Sequence, residues 1–302
     1  MMKRIAEKRF RNLSDVELID LMHTMGDGLP REVVDEVLDR GHRMIPYFYV
    51  IVSDKTSWTR PLPDWWACVH ATYMLGAFET QETMPALLSA LRWSDAFDCE
   101  WVTEDLPSMF GRLGQVAYGP LQAVVRDISA GWGARSIALS SMAAVAITTP
   151  FLKEGFLDFA SYALADVTEP LALRQSAANI LMDFRSQAHR QILLNFGREE
   201  AVRKEEIPDY DGVFYDYEVD EFLHADDTRM DLDYYKRDWL IFYDSEERER
   251  RREFWEDEQL SAGQGAAHDP DAEHGFEPDR YLSQCPCGSG RLYSECCMKK
   301  VH

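Results

Sequence analysis

Apolar residues recur at helical spacing through the first two thirds of the chain, and that period predicts a run of amphipathic helices. Ser14 with Glu17 three positions later is a capping box, predicting a helix over L-S-D-V-E-L-I-D-L-M. The stretch P-R-E-V-V-D-E-V-L-D-R-G (30–41) then pairs with M-I-P-Y-F-Y-V-I-V (44–52). The same plan returns at 64–78 with 83–93, at 104–116 with 118–128, and at 133–147 with 149–164, and a fifth unit opens at Glu169. In each unit one helix ends, at Leu75-Gly76 and Leu113-Gly114 for example, and a proline opens the next. The second-helix prolines Pro46, Pro85, Pro120 and Pro150 are 39, 35 and 30 residues apart.

A helical hairpin recurring at that period predicts an all-α fold and an α-solenoid, in which each pair buries its apolar face against its neighbours. The pattern resembles HEAT-type repeats. An irregular helical bundle with coincidental prolines is the alternative. The repeat domain is expected over residues 1–204.

Residues 205–259 break the pattern. They hold 21 acidic and 7 basic residues, two thirds of the net charge of −21, together with twelve aromatic residues. Disordered acidic tails seldom carry so many rings, so residues 205–260 are read as an acidic, aromatic helical extension. Tyr235, Trp239 and Phe242 share a stripe in a helix expected from about 231 to 258. That helix would cap the repeat domain, with E-E-R-E-R-R-R-E solvated at its end. The sharper reading is an acidic, aromatic-lined surface for a basic protein or an extended peptide. Residues 261–282 have the small and polar composition of a flexible linker.

Charge narrows the function classes. So acidic a chain repels phosphate backbones and anionic lipid, which argues against direct DNA binding. Between 61 and 130 only Arg92, Arg112 and Arg126 stand against nine acids, unlike the basic concave face that HEAT-like DNA glycosylases use. No apolar stretch is long enough to suggest a membrane span, and the start lacks the apolar core of a signal peptide, so a cytoplasmic location is expected. Oligomeric state is not legible.

The last twenty residues carry the most specific chemistry. Cys285, Cys287, Cys296 and Cys297 form C-x-C-x8-C-C, with Pro286, Gly288 and Gly290 permitting a sharp turn. Four thiolates so close suit a tetrahedral zinc site, and iron is accepted by the same donor set. The gaps are tighter than in common zinc fingers, so spacing alone leaves a disulfide or unrelated thiols standing. A segment this short depends on metal for its folding. Cys68 and Cys99 lie in apolar segments and read as small buried hydrophobes.

The run C-P-C-G-S-G-x-x-Y-x-x-C-C, as it stands at 285–297, resembles the SEC-C motif, the zinc-binding tail of the bacterial preprotein translocase motor ATPase and of many other bacterial proteins. The resemblance implies zinc ligation by Cys285, Cys287, Cys296 and Cys297 within a module over 283–302. It also implies docking to a protein partner such as a secretion chaperone or the ribosome. Lysines usual in that family are replaced here by Leu292, Ser294 and Glu295, leaving Arg291, Lys299 and Lys300 as the basic face.

Catalytic motifs are scarce: there is no H-E-x-x-H, no phosphate loop, no G-x-S-x-G and no kinase set. His70, among Trp66, Ala67 and Tyr73, reads as a satisfied helix histidine, and His224 with Asp226 and Asp227 as a chance neighbourhood. A closed four-thiolate site has no open position for substrate. An interaction or adaptor protein is therefore expected, the alternative being a hydrolase or nucleic-acid-processing enzyme. That enzyme would need a concave pocket with converging His, Asp or Glu.

Overall fold

A computed structural model describes residues 10–207, 210, 212–225 and 232–264, and among them every regular element is helical. No helix of the described residues is long and apolar enough to cross a membrane. The first element whose bounds are described is α1 (Asp15–Thr24), where the capping box forms as expected: Glu17 N donates to Ser14 Oγ at 3.2 Å and Ser14 N to Glu17 Oε2 at 2.6 Å. Helix α2 (Arg31–Arg40) ends at Gly41, whose φ of 70° a residue with a Cβ adopts only with strain. Pro46 and Pro85 occupy the first turns of α3 (Ile45–Ser53) and α5 (Met84–Ala96), where the missing N–H costs no helical bond. Between them runs α4 (Trp66–Ala77), buried from Trp66 to Gly76 and apolar on every side, the mark of a helix walled in by others.

Gly76 and Pro120 stand differently from expectation. Gly76 lies inside α4, because a Cβ there would sit 2.6 Å from Met109 Cγ on α7 (Leu106–Leu113), which follows the single turn α6 (Glu100–Thr103). Pro120 lies inside α8 (Gln115–Arg126), which starts directly after Gly114. The proline ring removes the N–H that would reach the carbonyl of Val116, and Val116 is exposed, so water can take its place. Pro150 opens a short 3-10 turn, Pro150–Leu152, that leads into the helix beginning at Lys153.

The later helices are α9 (Trp132–Thr148), α10 (Lys153–Ala165), α11 (Leu171–Asp183), α12 (Arg190–Glu206) and α13 (Asp216–His224). A two-part device joins them. After α8, the Asp127 carboxylate accepts from Ser129 N at 3.0 Å; after α10, the Asp166 carboxylate accepts from Thr168 N at 2.9 Å; after α3, Asp54 does the same with Thr56 N at 3.0 Å. The Thr56, Ser129 and Thr168 hydroxyls donate to the same carboxyls, and these bonds first, with the backbone bonds beside them, hold the three below the usual carboxylate range. Eight residues beyond Asp127 and Asp166 stand Arg135 and Arg174, each nearly fully buried. Arg135 Nε donates to the Val125 carbonyl at 2.7 Å and its Nη2 to Glu169 at 2.6 Å. Arg174 donates in the same order, to the Leu164 carbonyl at 2.9 Å and to Glu199 at 2.8 Å. Each arginine thus ties the carbonyl end of the preceding helix to a carboxylate further on.

Between α12 and α13 the fully buried Glu200 collects donors from Tyr210 Oη at 2.8 Å, Arg203 Nη1 at 2.8 Å, Gln175 Nε2 at 3.1 Å and Val213 N at 3.2 Å. A buried carboxylate is tolerated because its oxygens are satisfied. Burial and this bond to Glu200 push the Tyr210 hydroxyl up to about 12. On the same helix Gly197 faces backbone: a Cβ there would lie 2.5 Å from Asp216 N and 2.8 Å from Tyr215 C. Gly197→Ala therefore displaces the start of α13, and a loss of about 1–3 kcal/mol is expected in urea unfolding. An unchanged urea midpoint would refute this.

The acidic, aromatic segment folds back over the body, but not as one helix. Short 3-10 turns cover Tyr234–Lys236 and Trp239–Tyr243, and only then does α14 (Ser245–Gln264) begin. The Asp238 carboxylate accepts from Leu240 N at 3.2 Å and fixes the second turn, so the rings of Trp239, Phe242 and Tyr243 all point inward. Helix α14 runs four residues into the stretch expected to begin the linker.

Candidate functional site

The four expected metal ligands, Cys285, Cys287, Cys296 and Cys297, lie outside the described residues, as does nearly all of the linker. Among the described residues no group of three or more His, Cys, Asp or Glu side chains is placed to hold a metal ion. Cys68 and Cys99 are buried and free, as read from the sequence. Burial pushes the Cys68 thiol far up and the Cys99 thiol up to about 12, so neither is a nucleophile near neutrality.

What the structure assembles is the seat of the returning segment. Trp239 Nε1 donates to the Tyr73 carbonyl at 2.9 Å, and Phe242 packs among Trp66, His70, Tyr73 and Trp101 with ring centroids 5.4–6.1 Å apart. Tyr235 Oη donates to Asp183 at 2.6 Å. Arg251, expected in a solvated run, is only 5% exposed. Its Nη2 donates to the carbonyls of Asp27 at 3.0 Å and Phe242 at 2.9 Å, and its guanidinium lies 3.6 Å from the Phe242 ring centroid. Burial pulls that guanidinium below its ordinary value, against the opposing pull of Asp27 and Glu247. Trp255 Nε1 adds a bond to Asp27 Oδ2 at 3.0 Å. No sequence signal separates Arg251 from Arg250 or Arg252.

Along this seam runs a groove of about 740 Å³, walled by Tyr73, Trp101, Trp239 and Phe242 and rimmed by Glu100, Glu104, Asp105, Asp238 and Glu247. Arg237 and Arg250 also line it, paired to Glu104 and Glu247 at 2.8 Å each. Burial raises the Asp105 carboxyl above the usual carboxylate range, the Tyr73 hydroxyl opposing that shift. Tyr73 Oη lies 2.8 Å from both Asp105 Oδ2 and the Trp101 carbonyl. Of this rim's acids, Glu100, Glu104 and Asp105 fall among the nine acids of 61–130 that count against nucleic-acid binding.

Three histidines of the described residues, His70, His224 and His189, take structural places. His70 is fully buried, with Nε2 donating to the Gly26 carbonyl at 2.8 Å and Nδ1 accepting from Tyr243 Oη at 3.0 Å, so the neutral ring satisfies both partners. Burial depresses it to about 4. His224 Nδ1 donates to the Asp220 carbonyl at 2.7 Å, and Asp226 and Asp227 lie outside the described residues. A Ser–His–Asp chain does occur: Ser186 Oγ is 2.8 Å from His189 Nδ1, and His189 Nε2 is 3.2 Å from Asp158. The adjoining groove is lined by His189 and not by Ser186, which is buried, so the chain ties the α11–α12 junction to α10.

No curated protein and no solved structure matches the chain. The chain carries a SEC-C motif: the family model of that motif matches residues 283–299, the span that holds Cys285, Cys287, Cys296 and Cys297.

Proposed function

We propose that this protein is a metal-binding docking protein, in which a HEAT-like helical-repeat body presents a SEC-C tail to a protein partner. The observation that carries the reading is the SEC-C match over 283–299 with all four cysteines in place. In it Cys285, Cys287, Cys296 and Cys297 hold one zinc ion as thiolates; the donor set, four sulfurs and no open position, fits a structural zinc and also accepts iron. The metal supplies folding free energy to the tail and no step of catalysis. The recurrence of Asp-x-Ser/Thr turns followed eight residues later by a buried arginine supports stacked hairpins of common plan in the body. The proposed division is a body over 1–204, closed by the returning segment 205–260, then a linker over 261–282 and the metal module over 283–302. A ribosomal surface or a secretion chaperone is the class of partner that the motif suggests.

Elemental analysis of the purified full chain should find about one zinc or iron per molecule, lost in the double variant Cys296→Ser/Cys297→Ser and kept in Cys68→Ala. Metal content near zero, or unchanged after serine replaces all four cysteines of the tail, would sink the metal assignment. Co-sedimentation with ribosomes that the double variant loses would support that partner; sedimentation indifferent to the tail cysteines would remove it.

A further inference from the structure

Two guanidiniums at the borders of the groove along the seam of the returning segment show what this surface holds well. Arg112 lies 4.4 Å over the Trp239 ring and 3.6 Å from Asp238; Arg237 lies 5.0 Å over the Tyr234 ring and 2.8 Å from Glu104. Each guanidinium rests on an aromatic face while a carboxylate takes its charge. A ring face is negative at its centre, so ring and carboxylate attract the same cation from two sides.

One ring-and-carboxylate pair in the same groove has no cation of its own. The Trp101 indole is 37% exposed and packs tilted at 58° to the Trp66 ring and T-shaped to the Phe242 ring, and its neighbour Glu100 forms no ion pair among the described residues. Asp105 stands behind them, bonded to Tyr73. A second groove of about 290 Å³ meets the first at Glu104 and carries Asp95 and Asp98 onward toward Trp132. These carboxylates are strung out rather than convergent, which suits cations spaced along a chain and not a single metal ion. Phosphate backbones would be repelled here.

We propose that this groove receives a basic, extended segment of a partner protein, one lysine or arginine side chain lying on Trp101 against Glu100. The segment then continues along the groove past Glu104. This goes beyond metal-dependent docking through the tail, because the groove is lined by residues between Tyr73 and Arg250, none of them a tail cysteine, and needs no metal.

The test is fluorescence anisotropy on the full chain with a labelled decapeptide of alternating lysine and serine, beside its glutamate–serine counterpart, in chelator. Saturable binding of the lysine peptide alone is expected, weakening as salt rises. Glu100→Arg and Trp101→Leu should each reduce affinity at least tenfold, while Glu154→Arg, the same charge change at an exposed site on α10, alters it less than twofold. Glu100→Gln, a milder change at an exposed position, should weaken binding in the same direction if Trp101→Leu fails to fold. Binding of both peptides alike, no saturation at millimolar peptide, or an equal loss in Glu154→Arg would overturn the proposal. Peptide binding that persists in chelator while the chain holds no metal without chelator would instead leave the groove standing and fell the tail reading.

Discussion

Trp239→Ala is expected to destabilise the protein by about 3–5 kcal/mol, the range for emptying a buried aromatic site. Trp239 is 2% exposed, its Nε1 is bonded to the Tyr73 carbonyl, and Arg112 lies on its other face, so truncation leaves a cavity, an orphaned acceptor contact and an unseated guanidinium together. Because the neighbouring Phe242 and Tyr243 sit on the same short turn, the loss should spread to the whole of 232–256. Urea unfolding gives the magnitude, and limited proteolysis gives the place: new cleavage should begin between Leu232 and Ser245. A variant as stable as the parent and uncut in that stretch would show that the turn is not what fastens the segment.

The second large effect is on pH. His70 in the folded protein is depressed to about 4 from an ordinary 6.5, chiefly by burial and further by the Arg251 charge, with the Gly26 bond and Asp27 opposing. A folded value below the unfolded one means that the unfolded chain binds the proton first. The contribution of the neutral ring is therefore complete above pH 6.5 and is lost as pH falls toward 4, an amount of roughly 3 kcal/mol from the two values. His70→Gln can still donate to the Gly26 carbonyl and accept from Tyr243 but does not titrate. Between pH 7 and pH 4 its stability should fall by that much less than the parent's, and parallel curves for the two proteins would disprove the linkage.

Helices were legible where their cause is local. Ser14 and Glu17, Pro46, Pro85, Gly41 and Gly114 act within one turn of themselves, and the chain around them folds as the spacing predicts. Gly76 was misread as a helix end because its reason is Met109, a residue of another helix. Pro120 is tolerated in mid-helix where Val116, whose carbonyl it leaves unserved, is exposed, and exposure is not written in the local sequence. The stripe of Tyr235, Trp239 and Phe242 was correctly read as buried, but the Asp238 cap breaks the helix that the stripe suggested. The four tail cysteines are singled out by their spacing together with the resemblance to the SEC-C motif, and they lie outside the described residues. The groove was not legible in the same way: its rim joins Glu100–Asp105 to Arg237–Arg250 across more than 130 positions.

The fastening of Asp27 to Arg251 and Trp255 joins residues 224 and 228 positions apart. During synthesis the amino-terminal helices emerge long before the chain that covers Tyr73 and His70 has been made. For most of translation their apolar side is bare, so maturation of the first quarter of the molecule waits on nearly the last, and such distant closure is slow. A prematurely terminated chain ending before Trp239 would leave the ribosome with that side still open and prone to clumping.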